Sequence, residues 1–325
     1  LPALSPQETR PVLERYVDVS ELVVVASEDL HAAFVDRMDK EPSTPFFALI
    51  WSMDTHYPYF DRHQLGSGAP SPVYYDSDIA DAGEATLRGE FSDLYDQMVS
   101  YNDRTFGQLV KSLSKLGRYD DTLIILMADH GEALGEHQLT THSGPPFRPL
   151  AHVPLVLKLP DSSVANSRRT HLVQLIDVAP TLYRYLDVNA PGRDMVQGGD
   201  LLRRHDGNSG LAYTEGGGAI SLRTQEWCYM RGRLLQGGRQ RHGRLRGRIS
   251  SLRQGALFDR RHDPDETVDL SGRLECLPWY LAMTARSLMV AQTNKAISKR
   301  MQFDCSSTPR DTVVEDRLRA LGYID

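Results

Sequence analysis

A chain of 325 residues with 40% apolar content can bury a real core, and its length suits one large domain plus a smaller one. Its formal charge of -6 is modest, its 25% charged content is ordinary, and no apolar run approaches the length of a membrane span. Three scattered cysteines, Cys228, Cys276 and Cys305, exclude a disulfide framework and a close-spaced metal knot, and they leave the compartment undecided. The chain opens Leu1-Pro2-Ala3-Leu4 without Met or a signal-peptide pattern, which reads as an amino-terminal part removed or absent.

In chain order, residues 46–51 (Phe-Phe-Ala-Leu-Ile-Trp) form a short apolar run, as expected for a strand covered on both faces. Leu94, Met98, Tyr101, Leu109, Leu113 and Leu116 then recur at helical spacing, with Gly117 as the cap. Further apolar runs follow at 122–128 and 153–159, so strand, helix, strand makes a crossover unit, and a parallel sheet is the natural host. A second helix fits 172–186, with Pro180 kinking or restarting it. Beyond Pro191 the texture turns Gly- and Arg-rich. Short β-like runs at 211–214 and 226–230 and a closing helix at 279–294 suggest a small antiparallel sheet with a helix. The expected fold is therefore α/β: a mostly parallel sheet sandwiched by helices over 1–205, its amino-terminal part missing, and a small antiparallel α+β subdomain over 206–325.

The sharpest chemical signal is Ala128-Asp129-His130-Gly131-Glu132, directly after the most apolar strand candidate, followed by Gly135-Glu136-His137 and His142. Sites in open α/β sheets form beyond the carboxyl ends of strands, where adjacent Asp and His can ligate one cation and a Gly removes bulk at the turn. The plainer reading makes Asp129 a helix cap and Glu132 a residue favouring the helix dipole. A second cluster, Met53-Asp54-Thr55-His56-Tyr57-Pro58, follows the run at 46–51, so two His-bearing loops are expected on one sheet edge. The ordinary pKa of His makes His56 a candidate general acid.

The order of these motifs resembles the sulfatases of the alkaline-phosphatase superfamily. The resemblance runs through His56-Tyr57-Pro58, the helix containing Tyr95 to Asp103 and Leu109, Tyr119-Asp120-Asp121-Thr122, Asp129-His130-Gly131-Glu132, Gly135-Glu136-His137 and Val153-Pro154-Leu155. It continues through Leu175-Ile176-Asp177-Val178-Ala179-Pro180-Thr181-Leu182, then Leu257-Phe258-Asp259, Asp263-Pro264, Glu266 and Leu270, and ends at Arg317 to Tyr323. It implies a hydrolase of sulfate monoesters in which Asp129 and His130 bind the catalytic divalent cation, His56 assists departure of the alcohol, and His142 stands against the sulfate. His142 otherwise reads as a solvated loop histidine, and His137 as structural. Calcium is favoured narrowly over manganese, because oxygen donors suit the first while an imidazole equally suits the second. The substrate it implies is a small-molecule or glycan sulfate ester.

Other residues depart from the family pattern. Phe147-Arg148-Pro149 replaces a Tyr-Glu-Glu-like segment, and His152 replaces an Arg. No Cys/Ser-x-Pro-x-Arg, the motif matured to formylglycine, is convincingly present: Cys276-Leu277-Pro278 is followed by Trp279-Tyr280, and Cys305 has the wrong spacing. Formylglycine is thus expected only upstream of Leu1, in very roughly 150–200 further residues. The isolated chain is expected to bind the cation weakly and to turn over no sulfate ester. Eight arginines between Arg231 and Arg253 could hold a polyanion, but without aromatic side chains they offer nucleic acid no stacking platform and read as a solvated loop. A phosphate or phosphonate ester hydrolase of the same superfamily and a non-catalytic anion-binding remnant are the alternative functions. Localisation and oligomeric state stay open.

Overall fold

The computed structural model describes residues 26–56, 89, 91–142, 144–162, 166–188, 198–203, 210–232, 255–277, 279–284, 286 and 290. They fall into two compact units, one holding 26–56 and 98–116, the other holding the described residues of 89–97 and of 117–290. The arginine stretch beyond Gly232, the end of the closing helix after 290 and the motif at 317–323 lie outside the described residues.

In the first unit, helix α1 (Ser27–Lys40) has Glu28 and Asp29 in its first turn and Arg37 and Lys40 in its last, charges that oppose the helix dipole. Helix α2 (Ser92–Lys115), whose residues up to Gln97 belong to the second unit, buries the expected stripe, with Leu94, Met98, Tyr101, Leu109 and Leu113 all below a tenth exposed. It ends as the sequence indicates: Leu116 donates back to the Ser112 carbonyl, and Gly117 takes a φ of +66°, which a residue with a Cβ adopts at a cost. The apolar run at 46–51 is not a strand. It pairs with no described strand, and Phe47, Leu49 and Trp51 are exposed. The crossover unit expected from that run is therefore absent among the described residues. Apolar β-formers mark a segment that can be buried, but only a partner with free backbone groups makes it a strand.

The second unit carries three sheets, all antiparallel among the described residues. Strands β1 (Ile124–Met127) and β4 (Leu155–Lys158) pair with Ile124 opposite Lys158 and Met127 opposite Leu155. The expected mostly parallel sheet is not seen among the described residues, where this pairing is antiparallel. No long crossover helix lies between β1 and β4, only the hairpin of β2 (Ala133–Leu134) with β3 (Thr140–Thr141) and the single turn of α3 (Arg148–Ala151), so the chain returns in the opposite direction.

The helix expected over 172–186 is shorter. Residues 172–174 are not helical, Leu175–Asp177 is a 3₁₀ turn, and helix α4 covers Val178–Tyr185. Pro180 therefore sits in the first turn, where its missing N–H breaks no intrahelical bond, and it does not kink the helix. Gln174 and Asp177 form a reciprocal capping box, and Asp177 also accepts from the Gly199 amide at 2.8 Å, while Thr181 accepts from the Leu201 amide at 2.8 Å.

The small antiparallel sheet is present as expected, in the order β5 (Ala212–Gly216), β6 (Ala219–Arg223), β7 (Trp227–Gly232), β8 (Ala256–Asp259). Both of its faces are covered. Leu222, Trp227, Tyr229 and Leu257 pack with Met283 of the closing helical segment, while Ala219, Cys228, Met230, Ala256 and Phe258 pack with Ala133, Leu139, Phe147 and Leu150. The second face thus underlies the segment that follows Asp129.

Candidate active site

The first unit places His56 at the end of a tight turn in which its amide donates to the Met53 carbonyl at 3.1 Å. Asp54, fully buried, anchors that turn: its Oδ2 accepts from the Ser27 amide at 2.9 Å and the Ser52 hydroxyl at 2.8 Å, and the Ser27 hydroxyl also touches it. A carboxylate thus satisfies an amide at the start of α1, where the helix dipole favours negative charge. The Ser27 hydroxyl also reaches Asn102 Oδ1 of α2 at 2.5 Å. Sequence reasoning passed over Ser27, which no motif marks, and gave no role to Asp54, although it lies in the cluster at 53–58.

In the second unit the turn after β1 carries Asp129 and His130. Asp129 is half-exposed and accepts from the His130 amide at 2.9 Å. His130 Nδ1 lies 3.0 Å from the Gly131 carbonyl, which favours a proton on that nitrogen, and in that tautomer Nε2 is the nitrogen with the lone pair. Nε2 is buried, has no hydrogen-bond partner among the described residues, and stands 3.8 Å from Asp129 Oδ2. A bare imidazole nitrogen beside a carboxylate, with the other nitrogen held by a backbone carbonyl, fits a divalent cation. Among the described residues no third His, Cys, Asp or Glu completes a cage.

Gly131 explains its own place in the motif. A Cβ there would lie 1.9 Å from the Pro149 carbonyl oxygen, and the Gly131 amide donates to the Leu150 carbonyl at 2.9 Å. The turn after β1 is thereby locked to α3.

His142 comes to the same place: its ring lies 4.6 Å from that of His130, tilted by 31°. His137 has a φ of 56° and stacks on Phe147 at 3.8 Å, which matches a structural part. Asp129, His130 and His142 line an open cleft of 1160 Å³ that also takes in Arg148, His152, Arg168, Arg169, Arg223 and Arg260. Five arginines meet three carboxylates there, so the cleft is positive although the chain is negative. The field is felt by His152, whose pKa is lowered by burial first and then by Arg148, Arg260 and Arg223.

The floor of this region is an ion pair that spacing alone did not reveal. Arg223, on β6, pairs with Glu266 at 3.0 Å, and both side chains are under a tenth exposed. Arg223 also donates to the Pro146 carbonyl at 2.6 Å, and Glu266 accepts from the Arg148 amide at 2.9 Å, which ties the sheet to the segment after His142.

The sulfatase family model matches residues 9–188, more than half of the chain. The chain belongs to the sulfatase family. It is 32% identical over 201 residues to the multifunctional alkaline phosphatase superfamily protein PehA of Trinickia caryophylli, across 56% of this chain and 36% of that protein. It is 23% identical over 184 residues to an arylsulfatase of Clostridium perfringens, across 49% of this chain and 37% of that one. The phosphonate monoester hydrolase of Agrobacterium radiobacter shares the fold, with a TM-score of 0.53 at 19% identity over 80% of this chain and 53% of that one. This sulfatase-family chain thus spans a little over a third of the length of these two curated relatives.

Proposed function

We propose that this chain is the cation-binding and leaving-group part of an enzyme that hydrolyses sulfate monoesters. The observation that carries the reading is the bare, buried Nε2 of His130 beside the Asp129 carboxylate, on the wall of a positive cleft, in a chain of the sulfatase family. Asp129 and His130 would hold a divalent cation, calcium narrowly ahead of manganese, which when bound supplies positive charge against the oxygens of the ester. His142, on the same wall, faces the sulfate. His56 donates the proton that relieves the departing alkoxide. The arginines of the cleft draw in the anion and hold it.

In this reading residues 1–205 belong to the catalytic domain and 206–325 to a subdomain that supports it. The 325 residues hold no Cys/Ser-x-Pro-x-Arg, so the formylglycine nucleophile comes from polypeptide outside them, and the isolated chain turns over nothing. The substrate is a small-molecule or glycan sulfate ester. A phosphate or phosphonate ester is the second reading, favoured by the description of the 32% identical relative as multifunctional.

The test is turnover of p-nitrophenyl sulfate against p-nitrophenyl phosphate and a p-nitrophenyl phosphonate by the whole gene product that carries this chain. Cation-dependent turnover of the sulfate, reduced about 10²-fold or more by His56→Ala, is expected. Faster turnover of the phosphate or phosphonate would replace the first reading with the second, and binding of sulfate with no turnover of any ester would make this an anion-binding protein.

A further inference from the structure

The arginines of the cleft differ in what they meet. Arg223 pairs with Glu266 and Arg148 with Asp265, each at 3.0 Å, and Arg169 donates to the Leu201 and Leu202 carbonyls. Arg260, just after β8, donates to the Thr224 carbonyl and makes no ion pair among the described residues. Its pKa is lowered by burial first and then by Arg223, with Arg148 acting in the same direction and Glu266 against it. Beside it stands His152, which closes α3 by donating its amide to the Arg148 carbonyl at 2.9 Å. His152 is exposed in the cleft, and its ring makes no hydrogen bond among the described residues. After burial, Arg148, Arg260 and Arg223 all lower its pKa, so three guanidinium groups act on one imidazole. A half-buried guanidinium without a counter-charge is costly, and an anion from outside removes that cost. Its planar fork suits two oxygens of one oxyanion.

We infer that Arg260, His152 and Arg148 form a second anion site in the cleft, apart from Asp129, His130 and His142, which takes a sulfate, phosphate or carboxylate group. Its floor is fixed, because Glu266 pairs with Arg223 and also accepts from the Arg148 amide at 2.9 Å. Its place relative to the turn of Asp129 and His130 is fixed as well, because the Gly131 amide donates to the Leu150 carbonyl of α3. An ester that uses both ends of the cleft carries two negative groups, the sulfate to be cleaved and one more. That assignment rests on the reading of the cleft as a site of ester hydrolysis, whereas the anion site itself does not. The other source of the same chemistry is a free oxyanion.

The test is titration of the purified chain with inorganic sulfate, followed through the His152 ring signals in nitrogen-15 NMR, which are identified by their loss in His152→Gln. Sodium chloride at equal ionic strength is the control. Sulfate should shift these signals to saturation where chloride does not, Arg260→Gln should weaken the affinity about tenfold or more, and His142→Gln should leave the response in place. A wild-type shift no larger than that in chloride overturns the inference without any variant. An affinity that Arg260→Gln leaves unchanged also overturns it, and so does a response lost in His142→Gln, since the cleft then holds one site. Calorimetry in the His142→Gln background decides the matter even where Arg260→Gln does not fold: sulfate affinity unaffected by adding His152→Gln overturns the site. A sugar carrying two sulfates, compared with the same sugar carrying one, separates the sources. About tenfold tighter binding of the first, lost in His152→Gln, is expected for a group on the substrate. Equal binding of the two sugars, with inorganic sulfate still bound, assigns the site to a free oxyanion. None of these readouts involves turnover, so the site and the hydrolytic reading fail separately.

Discussion

His31 of α1 shows how one side chain sets a pH limit on its unit. Burial lowers its pKa below the ordinary 6.5, and this outweighs the opposing effects of a hydrogen bond to the Thr105 backbone and of the Asp54 charge. Below pH 6.5 the unfolded chain therefore takes up a proton that the folded chain resists, so stability falls as pH drops from 6.5 through the lower folded value. Thermal unfolding between pH 8 and 5 should show this loss, and His31→Gln should flatten the slope; an identical slope in the variant would remove His31 as its cause. Other residues were legible to different degrees. Asp129, His130 and His142, which the sequence singled out, line one cleft, and Gly131 faces the Pro149 carbonyl as a residue without a Cβ must. Glu132 was read as a dipole-favouring residue, yet its side chain is buried with its carboxylate 3.7 Å from His142 Nδ1, a proximity to a residue ten positions away that no local pattern names.

At the scale of elements, the small sheet is stitched to the site by one buried pair. Arg223 and Glu266 are both deeply buried, so Glu266→Ala leaves a guanidinium without its counter-charge, at a cost of about 3–5 kcal/mol. Arg148 and Asp265 make an ion pair of the same length, 3.0 Å, on the surface, and Asp265→Ala should cost about 0–1 kcal/mol. Urea unfolding of the two variants checks the contrast, and equal midpoints would mean that the buried pair contributes no more than the exposed one. Strands β5 and β7 were legible as short β-like runs set between Gly- and Arg-rich segments, and helix α2 because its apolar residues recur at helical spacing. The run at 46–51 and the direction of β1 relative to β4 were not. Period and propensity say what a segment can bury, but pairing and direction depend on backbone groups elsewhere in the chain. Helix α1 shows Leu30, Phe34 and Met38 at intervals of four, a stripe too thin to stand out among its charged neighbours.

For the whole molecule, the charge is distributed against its sum. The chain carries a formal charge of -6, yet the cleft holds five arginines and three carboxylates, so a cation held as proposed by Asp129 and His130 would sit in a field that opposes it. Such a site has low affinity, and its occupancy should appear as stabilisation only at high metal concentration. At a free metal concentration one hundred times Kd the gain is about 2.7 kcal/mol. Thermal unfolding after chelation, followed by addition of calcium or manganese in the millimolar range, should therefore raise the midpoint, and Asp129→Asn or His130→Ala should abolish the rise. The ion that gives the larger shift at equal concentration reveals which donor dominates: calcium if the Asp129 oxygens do, manganese if the His130 nitrogen does. A rise that survives both substitutions would place the cation elsewhere and leave Asp129 and His130 as a structural turn. Because the opposing field is set by the arginines, raising ionic strength should weaken the electrostatic penalty, and Arg168→Ala, which removes one exposed positive charge, should strengthen cation binding in the same direction.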